Sequence, residues 1–256
     1  MRGAARWWPL AVGLGAYAVA LAAMAPATLV DAGLLSASEG RLRLAEAEGT
    51  LWSGTGQLEI RGTGGGIGPA TRLAWHLRPG GLLHAQLAFE IRSDRDPLSF
   101  PLAISWSRIE LANASISLPA AALGVGVPRL APLGLTGELR IHVAELTVVR
   151  GAMTGAATLQ WRAAGSALTP ISPLGDYEVR FNADGLATHA VLSTLEGPLQ
   201  MQGTGTWSTG VAPTFLAAVH VPADYQEQLV PLLRLIAVER SPGSFELNST
   251  LTALRP

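Results

Sequence analysis

The sequence predicts a mainly β protein: a single N-terminal transmembrane helix, then an extended, curved antiparallel sheet with one or two short helices. Three observations predict this class. After residue 40 the apolar residues recur with period two rather than 3.6. The runs are short and bounded by Gly, Pro, Asn or Asp, and the 29 Gly and 17 Pro among 256 residues are mostly punctuation of this kind. Charged residues make up only 14% of the chain, against about a quarter in ordinary soluble domains, and one uncharged stretch stands at the N-terminus.

That stretch comes first. Trp7 to Val30 carries no charge. As a helix it would rise roughly 36 Å, enough for a hydrocarbon core of about 30 Å. Arg2 and Arg6 precede it and Asp31 follows it. The positive-inside rule then places residues 1–6 in the cytoplasm, residues 7–30 in the membrane and residues 31–256, the β-rich domain, on the far side. Trp7 and Trp8 stand where an interfacial aromatic belt would lie. A cleaved signal peptide is the rival. Ala23-Met24-Ala25 has the small-x-small form, but Pro26 would hinder the cut, and the run exceeds a signal core of about 7–15 residues. An uncleaved anchor is expected.

The strand runs follow. Leu73, Trp75 and Leu77 alternate with Ala74, His76 and Arg78. The same pattern holds for Leu87, Phe89 and Ile91; for Leu102, Ile104 and Trp106; for Leu139, Ile141 and Val143; for Tyr177, Val179 and Phe181; and for Leu199 and Met201. Each strand thus has one apolar and one polar face, as in a half-covered antiparallel sheet. Pro119 to Leu123 predicts one helical turn. Asp224 to Val238 predicts a longer helix with Tyr225, Leu229, Leu232, Leu233 and Ile236 on one face, Asp224 as its cap with Glu227 three residues on, and a kink or break near Val230 before Pro231. Gly49–Arg61 and Gly197–Trp207 echo one another loosely. The Gly62–Gly68 stretch reads as a flexible loop without dinucleotide-binding order.

Composition excludes several chemistries. The chain has no Cys, hence no disulfide, thiol nucleophile or thiolate metal site. All 18 basic residues are Arg, so no phosphate-loop Lys or Schiff base is available. The net charge of −1 offers no basic field for nucleic acid. His76, His84, His142, His189 and His220 show no metal spacing. Asp94 and Asp96 lie two apart but among Arg92, Ser93, Arg95 and Pro97, which reads as a solvated turn. Trp52, Trp75, Trp106, Trp161 and Trp207 read as packing residues of a sheet face rather than a binding platform. Neither a catalytic or metal site nor a cofactor is expected.

Several segments carry a resemblance. Thr50-Leu51-Trp52-Ser53-Gly54, beyond a single anchor and a short strand, resembles the signature of the type II secretion system protein N family. Further pieces occur in matching order: Trp75-His-Leu-Arg-Pro79, Leu118-Pro-Ala120, the Pro132–Leu139 run with Leu135 and Gly137, Leu159-Gln-Trp161, Leu174-Gly175-Asp-Tyr177, Gly197-Pro-Leu199 and Gly203-Thr-Gly205. The resemblance implies a non-enzymatic, bitopic inner-membrane accessory of the machine that exports folded periplasmic proteins. Its bulk would be periplasmic. Its partners would be other inner-membrane components of that machine, with the secretin as a further one. The same resemblance gives the motif residues structural roles: Trp52 would pack under the first hairpin, and Gly54 and Gly137 would permit turns or bulges. An alternative from another class is an AsmA-like carrier that shields lipid or another apolar ligand. The inner face discriminates: bulky residues such as Trp75, Phe89, Trp106 and Tyr177 under a helical lid favour a filled core, and small aliphatics without a lid favour a groove.

Overall fold

The alternation becomes a sheet of 14 antiparallel strands in a computed structural model that describes residues 8–62, 68, 70–95, 98–126, 128–208, 210–234, 237–241 and 243–250. Two helices come first, α1 (Trp8–Ala23) and α2 (Thr28–Ala37). The strands are β1 (Leu42–Gly49), β2 (Ser53–Ile60), β3 (Thr71–Arg78), β4 (Leu87–Ser93), β5 (Phe100–Ile104), β6 (Arg108–Pro119), β7 (Leu135–Val149), β8 (Ala152–Ser166), β9 (Gly175–Asp184), β10 (Ala187–Glu196), β11 (Gln200–Ser208), β12 (Thr214–His220), β13 (Val238–Ser241) and β14 (Ser244–Thr250). Helix α3 (Ala121–Gly126) lies between β6 and β7, and α4 (Gln226–Leu233) follows β12. Neighbours in sequence are neighbours in space from β1 to β12; the order then ends β12-β14-β13. The predicted mainly β, antiparallel class holds.

Directly opposed residues share a face, so the register reveals the inner surface. Leu77, Phe89, Leu102, Leu111 and Leu146 form one apolar row through β3–β7. Leu118, Leu139, Trp161 and Tyr177 form a second through β6–β9. The other face is polar: Ser115, His142, Thr158 and Arg180 line up across β6–β9. Glu90 on β4 accepts from Ser99 Oγ at 2.6 Å and from Arg78 Nη2 at 2.8 Å, tying β3, β4 and the approach to β5. Two cores form. Ala27, Leu44, Trp75 and Phe89 pack with Val30 and Leu34 of α2. Leu174, Tyr177, Leu192, Val219 and Phe245 pack with Leu229 and Leu233 of α4. The chain still exposes 16,025 Å², against roughly 11,000 Å² for a compact monomer of its mass. The excess reflects an open sheet and α1, whose Leu10, Leu14, Tyr17 and Leu21 are exposed.

Five expectations are corrected. Residues 7–30 are not one helix. Helix α1 has 16 residues, and among the described residues no helix is long and apolar enough to cross a membrane. The break falls at Pro26, which lacks an N–H and cannot continue a helix. Its neighbours turn to the sheet instead: Leu51 N–H donates to Ala25 O at 2.7 Å and Ala27 N–H to Gly49 O at 3.1 Å. Second, Trp106 does not continue the β5 alternation; it stands fully exposed at the β5–β6 turn. Third, Asp224 caps nothing. It lies inside a 3₁₀ turn, Ala223–Tyr225, and α4 runs through Val230 and Pro231 to stop at Leu233; Ile236 lies outside the described residues. Fourth, Trp75 is buried, but Trp52 and Trp161 are half-buried. Fifth, the short helices exceed the expected one or two, because α2, of which only Thr28–Val30 fell within the expected anchor, is a separate element. Asp94 is exposed after β4, and Asp96 and Pro97 lie outside the described residues, as do residues 63–67 of the glycine loop.

Two outcomes follow from this packing. Trp75→Ala should cost about 3–5 kcal/mol, lowering the melting temperature of the full chain by about 10 °C in far-ultraviolet circular dichroism. Trp106→Ala should stay within about 0.5 kcal/mol of the parent; equal losses would contradict the assigned burial. Glu90 is held down to about 2, first by the Ser99 hydroxyl and then by Arg78. A depressed carboxyl stabilises the fold above its ordinary value and loses that contribution as pH falls toward 2. Glu90→Gln should therefore flatten the acid side of the stability profile below about pH 4.5, and an unchanged acid limb would refute the pairing.

Candidate interaction surfaces

Thr50-Leu51-Trp52-Ser53-Gly54 builds the joint between α1 and the sheet. Thr50 closes the β1–β2 hairpin: its N–H donates to Ser53 O at 2.8 Å, and its Oγ1 accepts from Ser53 N–H at 3.1 Å. Trp52 Nε1 donates to Ala22 O at the end of α1 at 2.7 Å, and Leu77 N–H to Trp52 O at 2.6 Å. Trp75 reaches back from β3, its Nε1 donating to Thr50 O at 3.2 Å and Leu51 O at 3.1 Å. Its indole lies against Gly54, where a Cβ would collide with the ring and with Glu48 O. Pro79 opens a 3₁₀ turn, Pro79–His84, that ends β3.

The other motif residues meet at the opposite strand ends. Gly137 has φ +101°, and a Cβ there would strike the Arg162 and Ala163 carbonyls across a bulge. Asp176 secures that bulge, accepting from Arg162 Nη1 and from Ala163 N–H, both at 2.7 Å. The Arg162 contact, then the Ala163 N–H, holds its carboxyl below the usual range. Trp161 is thereby turned inward, with Nε1 donating to Thr136 O at 2.9 Å and its ring 6.0 Å from Tyr177. Gly175 opens β9 beneath the Tyr177 ring. The Tyr177 hydroxyl donates to Leu199 O at 2.9 Å and lies 3.2 Å from Leu174 O, joining two connections. Burial, with the Asp176 charge second, pushes this phenol far above its ordinary value. Leu135, Trp161 and Tyr177 share an apolar cavity of about 200 Å³ with Leu123, Leu233 and Leu247. The sequence-marked residues thus fall into two groups at opposite ends of the sheet.

An open antiparallel sheet leaves two edges to which a partner strand can add, but which edge is open was not legible in the sequence. Along β1 the outward N–H of Leu44 donates to Asp31 Oδ1 at 2.7 Å, and that of Leu42 to Ser38 Oγ at 2.9 Å. Helix α2 therefore closes this edge. Asp31 lies in α2 and Ser38 immediately follows it. At the other edge, β13 is four residues long, irregular in register and exposed throughout. Glu239 and Arg240 on it pair with Arg234 and Glu246. Beyond it, Leu247–Thr250 of β14 has no strand partner on that side among the described residues.

On the polar face, His76, His142 and His189 each stand 3.1–3.4 Å from a hydroxyl of the adjacent strand, Ser53, Ser115 and Thr206. Among the described residues no group of three or more His, Asp or Glu could hold a metal ion.

Comparison with known proteins places the chain. No curated protein and no solved structure matches it. The family model for the type II secretion system (T2SS), protein N, matches residues 40–248, from just before β1 into β14. The match takes in the Thr50–Gly54 joint, the Trp161–Tyr177 cluster and all but the last two residues of the sheet, and on it the chain belongs to the type II secretion system protein N family.

Proposed function

We propose that this protein is a non-enzymatic accessory of type II secretion that works by contact. Helix α1 (Trp8–Ala23) holds it in the inner membrane, and the chain from Pro26 onward, which is tied to the sheet, forms its periplasmic domain. Family membership supports the system. The uncharged surface of α1 supports insertion in a bilayer, since a helix apolar all round is stable only in a core or a membrane, and here it stands clear of the core. The observation that carries the contact mechanism is the asymmetry of the edges. One is sealed by Asp31 and Ser38; the other offers β13 and the outer half of β14 for strand addition by a component of the apparatus. The short length, irregular register and charges of β13 guard that edge against pairing with copies of itself.

The apolar cavity under α3 and α4 favours the carrier reading as the alternative. Its volume suits a guest of about ring size rather than a long acyl chain. The lid residues Leu229 and Leu233 are fully buried, as in a filled core. A photo-crosslinker at Val238, exposed on β13, decides between the two in intact cells. Adducts with a named inner-membrane component of the apparatus or with the secretin are expected. Adducts with lipid alone would establish the carrier reading and remove this one.

A further inference from the structure

Strands that pair as consecutive hairpins send their turns alternately to the two ends of the sheet. The β1–β2 turn, where α1 is tied, therefore shares an end with the β3–β4, β5–β6, β7–β8, β9–β10 and β11–β12 turns. Four of those five point large apolar side chains into solvent. Leu83 is 87% exposed at β3–β4, Trp106 is fully exposed at β5–β6, Leu186 is 84% exposed at β9–β10 and Val211 is 64% exposed at β11–β12. The fifth carries Arg150, whose N–H donates to Ser107 O of the adjacent tip at 3.4 Å. Hairpin tips ordinarily take Gly, Asn, Asp or Ser. A row of Leu, Trp and Val there has no core to join and is the pattern that marks an interaction surface.

We propose that this rim of hairpin tips lies on the inner-membrane surface, its apolar side chains seated at the boundary between lipid headgroups and acyl chains. The inference rests on the membrane reading of α1. Three observations single out a bilayer. The rim is continuous with the end of α1 through Trp52–Ala22 and Leu51–Ala25. Its composition, a Trp and aliphatic residues beside an Arg, is that of an interfacial surface. The described α1 rises roughly 24 Å, less than the hydrocarbon core of about 30 Å, so insertion draws whatever is attached to its end toward the lipid. The opposite end is built differently: Leu98 and Leu168 are exposed there, at 69% and 49%, but its longer connections fold back and bury Ala120, Leu174, Leu199 and Leu233. The periplasmic sheet would then stand on its tips, presenting its capped end and its β13 edge away from the bilayer surface.

The absence of native Cys makes the test direct. Single-cysteine full-length chains, Trp106→Cys, Leu186→Cys and Val211→Cys on the rim, Leu14→Cys in α1 and Leu168→Cys at the opposite end, would carry an environment-sensitive fluorophore. They would be reconstituted in phosphatidylethanolamine–phosphatidylglycerol vesicles with spin-labelled acyl chains. Quenching at the rim at least about two-fold above that at Leu168→Cys is expected for side chains buried about 5–10 Å into the interface. Leu14→Cys should be quenched at least as strongly. Quenching at Leu14→Cys with rim positions no different from Leu168→Cys would overturn the rim and leave the anchor standing. Rim quenching without quenching at Leu14→Cys would keep the rim and overturn the anchor. No quenching at any position would overturn both.

Discussion

The turn at Thr50–Gly54 fixes how the apolar helix leaves the sheet, and much else depends on it. Pro26 ends the helical run and frees the backbone of Ala25 and Ala27. Those groups need partners in the folded protein, and the hairpin supplies them at Leu51 and Gly49. Trp75 fills the space against Gly54 and takes the Thr50 and Leu51 carbonyls as acceptors. A single joint thus closes the first hairpin, seats the N-terminal core and sends α1 out from one end of the strands.

The two ends of the sheet consequently have different work. Most turns at the α1 end are short, and Leu83, Trp106, Leu186 and Val211 on them face outward. The far end has long connections that return over the inner face, where α3, α4 and the Leu174 and Leu199 connections cover Trp161 and Tyr177. Tyr177 matters there because a buried hydroxyl must be satisfied, and the Leu199 and Leu174 carbonyls that meet it belong to different loops. Asp176 does the same for the strained bulge at Ala163, whose φ is +46°.

An open antiparallel sheet also carries unpaired backbone on both flanks, and the two are treated unequally. Asp31 of α2 and Ser38 just after it occupy the outward N–H groups of Leu44 and Leu42, so strand addition at this part of the N-terminal flank is opposed. The C-terminal flank keeps accessible backbone behind a short charged strand. This inequality, within a family tied to secretion, favours the proposed contact role over a closed vessel for lipid, and it separates the flank proposed for a partner from the rim proposed for the membrane.

Period-two alternation is a local property, because side chains of a strand alternate faces whatever the strand pairs with. For that reason the strands around Trp75, Phe89, Leu139 and Tyr177, the antiparallel class and the turn positions were readable from the residues. The motif residues were readable too, but only as a resemblance. Trp106 shows where local reading stops: the alternation of Leu102 and Ile104 runs into it, yet the chain reverses there and leaves it in solvent. Pro26 shows the same limit, since twenty-four uncharged residues describe hydropathy and not whether the backbone of residue 25 will find a partner at residue 51. Edge closure by Asp31 and Ser38, the pairing of Trp161 with Tyr177 and the gathering of Leu83, Trp106, Leu186 and Val211 at one end all depend on which strand ends lie together. That is set by register and topology across the whole sheet, and only the tertiary structure decided it.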